Sequence, residues 1–117
     1  LLDVLIATGQ AGEAARRARQ GLQRNGDDVR LWMRLSEAEA ALGNRMAHHR
    51  AQAEVYVRQG ALPSAIEQLE IARRANDGDF YAASEVDARL RTLKEEDAWR
   101  RENDEAYRRA LERANTR

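Results

Sequence analysis

The sequence predicts an all-α fold: an α-solenoid of antiparallel helical hairpins closed by a C-terminal capping helix. Three observations carry this. First, β-branched residues are sparse, so strands have little to build on. Second, helix-stopping residues recur at Gly9, Asn25-Gly26-Asp27-Asp28, Gly43-Asn44, Gly60 and Asn76-Asp77-Gly78-Asp79, and each interval is one helix long. Third, Gly9 and Gly43 stand 34 residues apart, and Gly60 falls half that interval further on.

Taken in order, the stops predict helices near 1–8, 11–24, 29–42, 45–59, 63–75 and 80–96. The first enters with Leu1, Leu2 and Leu5, and the second carries small residues at Ala14 and Ala18. Helix 29–42 places Trp32 and Leu35 on one side, and helix 45–59 places Ala53 and Tyr56. Helix 63–75 has the plainest punctuation. Pro63 sits in its first turn, where a fixed φ and a missing N–H cost nothing. Leu62, Ala65, Ile66, Leu69, Ala72 and Ala75 then recur at three- and four-residue steps. So short a helix is marginal alone, and its apolar stripe must rest on a neighbour, helix 45–59. Helix 80–96 lines up Phe80, Ala83, Val86, Leu90 and Leu93, the stripe of a cap over the last hairpin. Beyond it, 97–117 is a charged helical extension with acid-to-arginine pairs four apart: Glu96–Arg100, Asp97–Arg101, Asp104–Arg108 and Glu105–Arg109. Trp99, Ala106, Ala110 and Ala114 form a thin stripe on what reads as a solvated extension, or as one that meets a second copy of the chain or a further domain.

A 34-residue period is that of the tetratricopeptide repeat, two antiparallel helices per unit, with large and small apolar residues at set places. From Trp32 the chain reads Trp32-x2-Leu35-Ser36-x2-Glu39; from His49 it reads His49-x2-Gln52-Ala53-x2-Tyr56, then Ala65-x3-Leu69. Ala14, Ala53 and Ala65 let helices approach, while Trp32, Leu35, Tyr56 and Leu69 fill the space between them. The half-interval before Gly60 breaks the register. Helix 45–59 must close one unit and open the next, or one helix has been lost.

Composition sets bounds on function. The chain is one domain of 117 residues without cysteine, so disulfides and thiolate metal sites are excluded. No apolar run reaches the length of a membrane span. The 20 basic and 20 acidic residues cancel, which argues against nucleic acid as partner. All basic residues but Lys94 are Arg. Arg forks onto carboxylates better than Lys does, and a GC-rich genome produces the same bias. The only histidines, His48 and His49, are adjacent and point about 100° apart on a helix, whereas a helical zinc pair stands four apart on one face. His49, in the slot where the repeat usually has Trp, reads as a packing residue. No nucleophile motif or phosphate loop occurs, and the segment is expected to have no catalytic residues, cofactor or metal. The chain opens on Leu1 and reads as a piece of something longer.

Residues 32–95 carry three further features: "AHHRAQAEVYVRQG", "LPSAIEQLEIAR" and the ending "GDFYAASEVDARLRTLKEE". On these the chain resembles the C-terminal repeat region of bacterial periplasmic zinc metalloproteases of the β-barrel assembly-enhancing type. The repeat reading sets a repeat domain over 1–96, to which 1–31 adds only generic repeat character; the resemblance implies a periplasmic location. It implies zinc only in a separate N-terminal HExxH domain. It also implies a role in outer-membrane protein assembly or quality control, with assembly components as partners. In such repeats the first helix of each unit lines a concave groove. That phase selects Arg30, Met33, Glu37 and Ala40, and Ala47, Arg50, Glu54 and Val57, with Arg58 beside them. The asparagine of the chaperone-tail clamp is missing, which argues against capture of a C-terminal carboxylate in that manner. A second reading is a stand-alone repeat adaptor, cytoplasmic or periplasmic. A third, an enzyme or metal site within the segment, is open to metal analysis.

Overall fold

A computed structural model describes residues 1–116; Arg117, the last residue of the expected extension, lies outside the described residues. Six helices follow one another: α1 (Leu2–Ala7), α2 (Ala11–Arg24), α3 (Val29–Ala41), α4 (Arg45–Arg58), α5 (Leu62–Ala75) and α6 (Phe80–Asn115). No strand occurs among the described residues. Each helix packs on the next, and α1 also touches α3.

Three connections are the same turn. Gly9, Gly43 and Gly60 adopt φ of 79°, 77° and 76°, the left-handed region that glycine enters without a Cβ penalty. After each, an amide reaches back five residues: Gln10 N to Leu5 O at 2.7 Å, Asn44 N to Glu39 O at 3.0 Å, Ala61 N to Tyr56 O at 2.9 Å. These bonds satisfy carbonyls that a helix end leaves open. The other two connections rely on aspartates. Asp28 accepts from Arg30 N and Leu31 N at the start of α3. Asp79 accepts from Ala82 N at the start of α6. So the stops seen in the sequence are of two physical kinds, glycine turns and aspartate caps.

The interior divides into two clusters. One joins α1, α2 and α3 through Leu5, Ala14, Ala15, Ala18, Leu35 and Ala38, and takes Ala51 from α4. The other joins α4, α5 and α6 through Met46, Ala53, Ala65, Leu69, Ala72, Val86, Leu90 and Leu93. Helix α4 serves both. Met46, Ala51, Ala53, Glu54 and Val55 are all buried, and at about 100° per residue they point around most of its circumference. A helix buried on several sides cannot show a single apolar stripe, which is why none is plain between Gly43 and Gly60.

Two expectations for the last helix need correction. It does not end near residue 96 but runs unbroken to Asn115, 36 residues in all. No Gly or Pro interrupts this stretch. Ion pairs four residues apart line it: Glu96–Arg100 at 2.8 Å, Asp97–Arg101 at 2.9 Å and Glu105–Arg109 at 2.6 Å, whereas Asp104 and Arg108 do not pair. Phe80 is not part of the packed stripe; it is 79% exposed. As the first residue of α6 it points roughly 110° away from the Val86–Leu90–Leu93 line. The second half of α6 projects from the body, which gives extents of 65 × 29 × 22 Å.

Candidate interaction groove

Three adjoining cavities, of about 430, 70 and 260 Å³, share Arg50 in their walls. Together they form one groove across α2, α3, α4 and the start of α6. From α2 come Arg19, Leu22 and Gln23; from α3, Trp32, Leu35 and Glu39; from α4, Met46, Ala47, Arg50 and Ala51; from α6, Ala82 and Glu85. Its floor is apolar and its rim is charged.

The floor is held in place by the fold. The Trp32 indole N–H donates to Gly26 O at 2.8 Å, which ties the ring to the α2–α3 turn. The Arg58 guanidinium lies over the same ring, 5.1 Å from its centroid, and donates to Gly26 O at 2.7 Å. A cation over an indole face is attracted by the ring quadrupole. Arg58 also meets Glu54 at 3.3 Å, and Glu54 takes Arg89 from α6 at 2.8 Å. The Glu54 side chain is only 8% exposed, so these two guanidinia are what makes its burial tolerable. This chain of contacts fastens α3, α4 and α6 to one another.

The rim is set by weaker pairs. Arg50 reaches Glu85 at 2.9 Å, both ends well exposed. Arg19 reaches Glu39 at 3.2 Å, and buried Glu39 takes a second donor, Asn44, at 3.3 Å. At the far end Asp77 accepts from Arg45 N at 2.7 Å and Met46 N at 2.8 Å, and so caps α4 from the α5–α6 connection. The Met46 and Arg45 amides hold the Asp77 carboxyl below its ordinary value.

The expected groove residues do not share one surface. Arg50 and Ala47 line the groove. Glu54 is buried in its ion cluster, Val57 packs against the α4–α6 core, and Arg58 braces Trp32. Arg30, Met33, Glu37 and Ala40 are exposed on α3, on the side away from Leu35 and Glu39. Glu37 is paired there with Arg34 at 3.0 Å. The groove residues that sequence reasoning missed include Arg19, Leu22, Gln23, Glu39 and Glu85, besides Met46, Ala51 and Ala82. It missed those on α2 and α6 because the repeat convention places ligands on first helices; Glu39 is on α3, but on the buried side away from the selected phase. Trp32 and Leu35 were seen, but as space-fillers only.

The histidines are engaged within the fold. His48 Nδ1 lies 2.9 Å from both Ser36 O and Ser36 Oγ, linking α3 to α4. His49 Nδ1 lies 2.8 Å from Gln68 Oε1, linking α4 to α5. Their rings are neighbours at 4.6 Å rather than diverging, as helical phase alone had suggested. Among the described residues no group of three or more His, Cys, Asp or Glu side chains could hold a metal ion, and no helix is long and apolar enough to cross a membrane. Compared with known families and with curated proteins, the chain matches no family model and no curated sequence.

Proposed function

We propose that this chain is a non-catalytic protein-interaction module, an array of tetratricopeptide-like helical hairpins that binds a protein segment in the groove around Arg50. The observation that supports this best is the groove itself: three cavities that adjoin at Arg50, with a braced tryptophan and leucine floor and arginines on the rim. Aromatic and arginine anchors of this kind dominate protein interfaces. The repeat reading draws on the 34-residue glycine spacing and on three turns of one geometry. The resemblance of residues 32–95 to periplasmic zinc metalloproteases extends the proposal. On that reading, the module positions outer-membrane proteins or their assembly components for a zinc-bearing catalytic domain.

The test is capture from periplasmic extract on the immobilised chain, with bound proteins identified by mass spectrometry. Outer-membrane β-barrel proteins or their assembly components are expected on the parent. They should be depleted on Arg50→Glu and retained on the tail variant Arg108→Glu/Arg109→Glu. Arg58 is left untouched because its replacement would release Trp32 and Glu54. Equal capture by Arg50→Glu would remove the groove as the binding surface, and equal capture together with loss on the tail variant would move that surface to the extension of α6.

A further inference from the structure

Resting on the reading of the groove as a binding surface, we propose that its ligand is an acidic segment. A ligand carboxylate docks between Arg19 and Arg50 in place of Glu85, and a neighbouring apolar side chain of the ligand lies on Trp32 and Leu22.

The charges at the site point this way. Arg19, Arg50 and Glu85 all line the largest of the three cavities. Their side chains are 56%, 40% and 57% exposed, so all three are open to a ligand. Glu39, also in the groove, is 5% exposed and already holds Arg19 and Asn44, so it is out of a ligand's reach. Within this largest cavity the accessible charge is therefore two guanidinia against one carboxylate; Asp77, at the far end of the groove, is engaged by the Arg45 and Met46 amides. Glu85 itself shows what Arg50 accepts, a carboxylate oxygen at 2.9 Å. That pair is exposed at both ends, and exposed pairs contribute little, so exchanging Glu85 for a ligand carboxylate costs little. Arg19 shares the cavity and holds Glu39 through Nη1 alone, so its remaining N–H groups can add a second guanidinium to the ligand carboxylate. Planar forks of this kind suit carboxylates. In this cavity a basic segment would find only Glu85 and would take from Arg50 its one partner. The floor supplies the rest of the recognition. Trp32 is clamped by Gly26 O and by Arg58, so an apolar side chain meets a surface already in position. Because the three cavities adjoin at Arg50, an extended segment fits better than a single side chain.

Trp32 is also the reporter. In the Trp99→Phe background it is the only tryptophan left. Three blocked peptides of equal length serve as probes, alternating leucine with glutamate, with lysine or with glutamine. The glutamate peptide should shift Trp32 emission saturably and bind tightest. Arg50→Gln should weaken it by about fivefold or more, the scale of one charge-assisted contact. Glu85→Gln should tighten it by about threefold, since the resident competitor is gone. This second variant gains affinity, so misfolding cannot imitate it. Preference for the lysine or glutamine peptide, an unchanged Kd for Arg50→Gln, or weaker binding by Glu85→Gln would overturn the acidic ligand while leaving the groove as a binding surface. If none of the three peptides moves Trp32 emission, the groove reading fails and this proposal fails with it.

Discussion

Asp77 shows how one side chain can serve a distant element. The sequence marks it only as part of a stop. In the structure its carboxylate receives the amides of Arg45 and Met46, more than thirty residues away, and closes the start of α4. Asn44, the residue ahead of α4, makes no side-chain cap, so Asp77 takes that place. A helix start attracts negative charge, and both amides favour the ionised form. The Asp77 pKa is accordingly lowered from 3.8, first by the Met46 amide and then by that of Arg45. The sign follows. The stabilisation is fully present above the ordinary carboxylate range and is lost as pH falls through the lowered folded-state pKa. Thermal melts of the parent and Asp77→Asn should therefore differ most near neutral pH and converge in acid. A constant gap across that range would show that the charge is not what matters. None of this could be read locally, because capping of α4 by a residue beyond α5 exists only once α4 and α5 are packed.

At the scale of the element, the helix 63–75 expected from Pro63 and its stripe is α5 (Leu62–Ala75), with Pro63 in its first turn. Its apolar stripe was legible because α5 keeps one face exposed, which leaves a clean three- and four-residue rhythm. Leu69 is fully buried in the cluster shared by α4, α5 and α6. Leu69→Ala should lower unfolding free energy by about 2–5 kcal/mol, measured by chemical denaturation. An unchanged midpoint would mean the site collapses without cost and is not core. Helix α4 is the opposite case. Ala53 and Ala65 were expected to let helices approach, and both are fully buried. Yet Glu54, assigned to a groove by phase, is buried with Arg58 and Arg89. Phase tells where a residue points on its helix; it does not tell which neighbours surround that helix.

For the whole molecule, the two clusters and their shared helix form one body, and the end of α6 stands clear of it. Every described residue after Asp97 is exposed, including Trp99 and Tyr107. Ending the chain after Asp97 should therefore leave the melting midpoint of the body unchanged and remove only the helical signal of the extension. A clear drop in midpoint would show that the extension supports the body, through contacts between copies or otherwise.

The sequence by itself determined the helical class, the places where the chain turns and most of the packed residues. These follow from short-range rules: glycine enters left-handed turns, aspartate and proline mark helix starts, and apolar spacing reveals a buried face. The groove was decided only by tertiary structure. Arg19, Trp32, Arg50 and Glu85 come from four helices, and Arg50 pairs with a residue 35 positions away. Such a meeting depends on how α4 is wedged between its neighbours. A helix buried on several sides leaves no periodic trace of that arrangement.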